Sequence, residues 1–279
     1  MQSKGLAIGI LSVLAISPAL AQVSGGPVSA PATAVMSPRQ HGPRRVAGLR
    51  PDRVVNNVTI SDSTNWSGYA VTGTSFTHAR GSWTVPTVNC TKTPNTFASF
   101  WVGIDGWSSD TVEQTGTDSD CDGKTPTYYA WYEFYPAGSF LISSVSVSPG
   151  NQMSAQVTFS SSEFTITITN ETTGKTFTKS AKVAGAKRSS AEWIVEAPCC
   201  TNSGGILPLS DFGTVSLGED HTLVNSTDFA VDSSTTGPIT AFGSGVQEAI
   251  MVSTKGADES VPSALSKDGT SFTATWKSE

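Results

Sequence analysis

The chain has 279 residues, of which 14% are charged, and a formal net charge of −6. Lys4 and five arginines (39, 44, 45, 50 and 53) precede residue 61, which leaves 11 basic residues against 22 acidic ones in the remainder. An acidic body without a basic patch excludes nucleic acid as a partner, because phosphate binding needs clustered Lys and Arg. No apolar run reaches the ~18 residues of a membrane span, which excludes a helical membrane protein.

At the N-terminus, Lys4 precedes a short apolar run, Leu6 to Ile16, and "SPALAQ" (17–22) supplies small residues at Ala19 and Ala21. This pattern predicts a secretory signal peptide over 1–21, cleaved after Ala21, and a secreted product. Residues 22–60 are rich in Pro, Ala and Arg without a sustained period of 2 or 3.6, so they are expected not to fold alone. Their charge is opposite to that of the body, which predicts a propeptide held partly by electrostatics and ending near residue 60. Residues 61–279 are then one domain, of a size usual for an all-β sandwich.

Within that domain, alternating stretches recur between turn residues: "NWSGYAVTG" (65–73), "ASFWVGIDG" (98–106), "YYAWYEFYP" (128–136), "FLISSVSVSPG" (140–150), "QMSAQVTFS" (152–160), "EFTITITN" (163–170), "TFTKSAKVA" (176–184) and "SFTATWKS" (271–278). Their period of 2 predicts strands, and "NETTGK" (170–175) predicts a hairpin turn. The expected fold is all-β, a curved antiparallel β-sandwich or concanavalin-like jelly roll of two sheets, with a concave face suited to an extended polymer. Cys90 and Cys121 are the expected long-range disulfide. The adjacent Cys199 and Cys200 leave open a vicinal bridge, other partners or free thiols. Neither a metal site nor a cofactor is expected.

Three polar insertions interrupt these strands. In "SSAEWIVEAPCC" (189–200), alternation puts Glu192 and Glu196 on one face, about 13 Å apart at ~3.3 Å per residue. That separation is too wide for the roughly 5–9.5 Å of a glycosidase acid pair, so each glutamate would need a partner from another strand. "TVEQTGTDSDC" (111–121) carries Glu113 and Gln114 on opposite faces of an expected strand end, before a Gly-containing turn. In "YYAWYEFYP", Trp131, Glu133 and Tyr135 share a face.

The motifs "NWSGY" (65–69), "FWVGIDG" (100–106), "EQTGTD" (113–118), "YAWYEFYP" (129–136) and "AEWIVE" (191–196), in that order, resemble those of the glutamic peptidases known as eqolisins. The resemblance spans 64–197 and implies a two-sheet sandwich that is secreted with a propeptide and cleaves polypeptides in acid. It implies a catalytic pair, Gln114 and Glu196, in a single catalytic domain. Trp66, Trp101, Asp105, Asp118, Trp131, Glu133 and Tyr135 would line or support the cleft. Glu192 becomes a structural or rim acid. The pairing of adjacent cysteines in "CCTNSGGILP" (199–208) departs from the family's bridged hairpin after the catalytic glutamate. The chain is expected to act as a monomer, with its own propeptide as inhibitor. Two rivals remain: a concanavalin-like glycoside hydrolase or lectin, for which Gln114 would have no use, and an inactive surface adhesin. "FGSGVQ" (242–247) lacks the G-x-S-x-G spacing of a serine nucleophile elbow.

Overall fold

The computed structural model describes residues 39–199, 205–218 and 228–279. The expected signal peptide, the first part of the expected propeptide and Cys200 lie outside the described residues. Among these residues there is no α-helix, and no helix is long and apolar enough to cross a membrane.

In chain order the strands are β1 (Arg53–Val55), β2 (Val58–Ser63), β3 (Trp66–Thr72), β4 (His78–Thr84), β5 (Ser99–Ile104), β6 (Val112–Asp122), β7 (Thr125–Tyr135), β8 (Phe140–Leu141) and β9 (Gln152–Ser160). There follow β10 (Glu163–Asn170), β11 (Lys175–Ala181), β12 (Ser190–Glu196), β13 (Thr214–Leu217), β14 (Phe229–Val231), β15 (Thr236–Pro238), β16 (Val246–Val252), β17 (Asp258–Pro262) and β18 (Phe272–Trp276). Two sheets result. One runs β1-β2-β16-β3-β12-β5-β6-β7-β8, with β2 and β16 parallel and every other pair antiparallel. The other is built on β4, with β9, β10 and β11 on one side and β14, β13, β18 and β17 beyond the other. They join where β16 pairs with β17 across a register shift between Met251 and Val252.

The core between the sheets includes Tyr69, Trp83, Phe100, Val102, Trp193, Val195, Met153, Val157 and Ile166. The opposite face of the first sheet carries its own apolar cluster, including Trp66, Trp101, Trp107, Trp131 and Ile194. Strand β12 is therefore buried on both faces, with Trp193 and Val195 in the main core and Ile194 in the second cluster. That environment explains its near-continuous apolar character.

The all-β sandwich agrees with expectation, and Cys90 is bonded to Cys121 with Cα atoms 5.2 Å apart. Cys199 is disulfide-bonded as well. Two local expectations fail. Residues 140–150 yield only the two-residue β8; Ile142 and Val145 instead plug the core through turns, with the Ile142 amide on Ala130 O. The "QTG" stretch is not a strand end, because β6 continues to Asp122. Gly116 is there for space: a Cβ would lie 2.3 Å from Phe100 O and 2.5 Å from Trp101 Cβ. Residue 60, the approximate end expected for the propeptide, lies in β2, whose parallel pairing with β16 runs from Thr59 to Ser63.

Candidate active site

Cross-strand partners in a sheet share a face, so register alone assembles the site. Three rows cross the face that points away from the main core. Trp66, Glu196, Ser99, Asp118 and Tyr129 form the first, on β3, β12, β5, β6 and β7. The second is Gly68, Ile194, Trp101, Gly116 and Trp131. The third is Ala70, Glu192, Gly103, Gln114 and Glu133. Gly103 and Gly116 make room for Trp101, and Gly103 also leaves space beside Gln114. Trp66 packs edge-on against Trp101 with centroids 4.9 Å apart.

The sequence-predicted residues Trp66, Trp101, Gln114, Asp118, Trp131, Glu133 and Glu196 thus meet on one face, all buried, and half-buried Tyr135 packs at its rim. Asp105 does not join them. It sits at φ 70 after β5 and accepts the amides of Lys187, Arg188 and Ser189, anchoring the loop before β12. Glu192 is fully buried rather than at a rim. Burial, reinforced by Asp105 and Glu113 nearby, pushes its carboxyl well above the usual range, against a hydrogen bond from Ser190.

The face is covered by residues 39–50 of the chain itself. Gln40 and Cys199 exchange both main-chain hydrogen bonds at 2.8 Å, the Arg44 amide donates to Gly106 O, and the Ala47 amide donates to Asp62 O. Arg39 pairs with Asp120 at 3.2 Å, and Arg50 reaches Asp62 at 2.7 Å and Asp258 at 3.0 Å. Arg44 stacks its guanidinium on Trp107, 3.9 Å from the ring centroid.

His41, fully buried, is the centre of this contact. Its main-chain carbonyl accepts a short hydrogen bond from Gln114 Nε2, and its amide donates to Glu133 Oε2 at 2.8 Å. Its ring stacks flat on Trp131 with centroids 3.5 Å apart. Glu196 accepts from Trp101 Nε1 at 2.9 Å on one oxygen and from Asn65 Nδ2 at 3.4 Å on the other. Burial pushes the Glu196 carboxyl up to about 8, an effect that the His41 charge opposes and Glu133 reinforces. Glu133 is raised too, by burial, against its bonds from His41. A pocket of about 340 Å³ remains beside the covering segment, where Glu196, Asn65, Tyr135 and Ile206 are among its walls.

Sequence reasoning missed four participants. His41 lay in a segment read only for its arginines. Asp120 and Tyr129 extend the acid row, with the Tyr129 hydroxyl donating to Asp118 at 2.8 Å and to Asp120 at 2.9 Å; the alternation in "DSD" (118–120) could have shown that both acids share a face. Asn65, quoted only as the first residue of "NWSGY" although it also opens an N-x-S sequence, is buried and spends its amide on Arg45, Pro43 and Glu196. That leaves it no surface to offer a glycan.

The model of the Peptidase A4 family matches residues 64–261. Scytalidopepsin B of Scytalidium lignicola is 34% identical over 196 residues, covering 68% of this chain and 72% of that one. Aspergillopepsin-2 of Aspergillus niger is 31% identical over 204 residues, covering 64% and 72%. Among solved structures, scytalido-glutamic peptidase with a transition state analog inhibitor superposes with a TM-score of 0.64 at 25% identity, covering 77% of this chain and 98% of that one. The chain therefore belongs to the Peptidase A4 family, the eqolisin glutamic peptidases, and is a hydrolase of peptide bonds.

Proposed function

We propose that the protein is a secreted, acid-active endopeptidase in which Glu196 and Gln114 carry the reaction, and that residues 39–50 belong to a propeptide that inhibits it. The observation that carries this reading is the bond from Gln114 Nε2 to a peptide carbonyl, that of His41, on the face that also bears Glu196. A substrate carbonyl held in the same way would have its oxygen on the Gln114 amide. Glu196 takes a proton from water, whose oxygen attacks the carbonyl carbon; Gln114 Nε2 donates to the oxyanion that forms. The C–N bond then breaks as Glu196 returns the proton to the leaving nitrogen. Gln114 Oε1, without a partner among the described residues, is available to orient the water.

With the segment in place, Glu196 is buried and protonated at neutral pH, so it is no base. Withdrawal of the segment admits water, weakens the desolvation that raises its pKa, and returns it to the range where it ionises in acid. Glu133, whose carboxyl burial holds above the usual range, loses its charge on acidification, which weakens its hold on His41. Glu196→Gln and Gln114→Ala are each expected to remove digestion of a denatured protein at about pH 4, by at least ~100-fold, with the fold intact by circular dichroism. Near wild-type proteolysis by either variant refutes the assignment.

A further inference from the structure

The large apolar side chains exposed among the described residues are Val46, Leu49, Val54 and Val55. Val46 and Leu49 belong to the covering segment and leave with it, whereas Val54 and Val55 lie in β1, paired to β2 of the body. Beside β1 is a further cavity of about 250 Å³, with Val55, Val58, Ile60, Tyr69, Leu265 and Glu248 among its walls. Register places Arg53, Ile60, Glu248 and Tyr69 in one row across β1, β2, β16 and β3. Tyr69 belongs to the main core, so this row lies on the face of the first sheet opposite to Gln114 and Glu196.

Glu248 is the only carboxyl in the cavity wall. Its Oε2 accepts the Tyr69 hydroxyl at 3.1 Å, and among the described residues no cation pairs with it. Burial pushes the carboxyl up, while the Tyr69 hydrogen bond and the Arg53 charge pull it down. Arg53 acts only from two strand spacings away, roughly 9–10 Å between Cα atoms. A cation in contact would stabilise the carboxylate more than one at that remove.

We propose that Glu248 receives the α-ammonium of the processed chain, with Val54 and Val55 turning into the cavity behind it. The proposal rests on the reading of residues 39–50 as part of a propeptide that is cut off. Hydrolysis of the Arg53–Val54 bond adds water across it: Arg53 leaves with a carboxylate, and Val54 keeps an amine that takes up a proton. The cut thus removes one cation from the row and creates another at the same end of β1. The four residues from Val54 to Asn57 span up to about 13 Å, enough to carry the amine to Glu248. Two exposed valines are covered in the process, which favours the docked state. The contact also replaces what β2 loses. The covering segment restrains β2 through Arg44 on Ser61 Oγ and Arg50 on Asp62, each at 2.7 Å, and an amine held on β16 ties the start of the processed chain to the strand beside β2.

The test needs neither Gln114 nor Glu196. The full chain carrying Gln114→Ala is treated with trypsin at neutral pH, and mass spectrometry is expected to find a cut after Arg53, in the exposed run 51–57. The α-amine of Val54 is then acetylated at about pH 8, near its ordinary pKa. Glu248→Gln is expected to speed this acetylation about tenfold, because an ammonium held by a carboxylate keeps its proton. Equal rates with and without Glu248→Gln overturn the proposal. If Glu248→Gln does not fold, the folded cut chain is compared with the same chain in urea, where acetylation should again be about tenfold faster; equal rates overturn the proposal there too. Resistance of the Arg53–Val54 bond to trypsin also overturns it, since the terminus would not be free to form. A wild-type chain that digests nothing in acid refutes the peptidase reading instead, and the acetylation rates still decide the fate of Glu248.

Discussion

Glu113, Glu192 and Asp228 are fully buried carboxyls, so raising the pH should unfold this protein from the inside. Burial, with Asp105 nearby and Thr111 acting against it, lifts Glu113 from 4.5 to about 9, and burial lifts Glu192 and Asp228 well above their ordinary values. The folded state keeps protons that the unfolded chain releases above about 4.5. Stability from Glu113 is thus whole below about 4.5 and is lost progressively as pH rises toward about 9. Between about pH 4.5 and 7 the loss is roughly 3 kcal/mol for one such group, at about 1.4 kcal/mol per pH unit. Glu192 and Asp228, raised by burial in the same direction, add to this loss. Asp232 works the other way. Against its desolvation, the Ser234 and Thr235 amides hold it below 3.8, so its contribution fades only in stronger acid. The optimum is therefore expected at about pH 4–5. The assay is urea unfolding across this range in a Gln114→Ala background, which prevents self-digestion. Glu113→Gln should lower the pH slope by about 1.4 kcal/mol per unit. Equal unfolding midpoints at about pH 4.5 and 7, or a slope unchanged in Glu113→Gln, would refute the reasoning.

Three further outcomes are expected. Gly116→Ala should cost about 3 kcal/mol or more and disable the site together with the fold, because its Cβ meets backbone at Phe100 and not a yielding side chain; a thermal midpoint within a degree or two of wild type would contradict this. His41→Ala removes the stack on Trp131 and both carboxyl contacts of the ring, so the lag before activity appears on acidification should shorten by about tenfold; an unchanged lag would show that the segment does not restrain the enzyme through His41. N-terminal sequencing of the processed protein should find a start between residues 51 and 58. The run 51–57 is exposed throughout, whereas 40–50 is pinned to the body and Ser61, Asp62 and Ser63 of β2 are buried. A start beyond Ser63 would mean that β2 is dispensable.

Alternation along each strand was legible in the sequence, and it put Glu192 with Glu196 and Trp131 with Glu133 correctly on shared faces. Which strands neighbour one another was not, since that depends on long-range pairing, and the rows joining Glu196 to Asp118 or Gln114 to Glu133 exist only through β5 and β6. The same blindness explains Gly116, which resembles a turn residue until the indoles of Trp101 and Trp131 are seen on its neighbours. Asp105 follows a strand aimed at the cleft, but the loop 187–189 returns to take both of its oxygens. The Pro- and Arg-rich composition up to Arg53 hid the alternation of "VTISDS", which β16 completes.

The body carries an excess of acids over bases. Much of it is interior: Glu113, Glu192, Glu196, Asp118, Glu133 and Asp228 are all buried. Surface carboxylates would make low pH tolerable by relieving repulsion, whereas buried carboxyls with raised pKa values, such as Glu113, Glu192 and Asp228, make low pH stabilise the fold. The covering segment belongs to the same logic. At neutral pH it places the His41 cation among Asp118, Glu133 and Glu196, which would otherwise face one another on a single buried surface. The residues that would perform catalysis after the segment leaves are therefore among those that hold it in place beforehand, so a substitution such as Glu133→Gln should weaken inhibition and alter turnover together rather than separately.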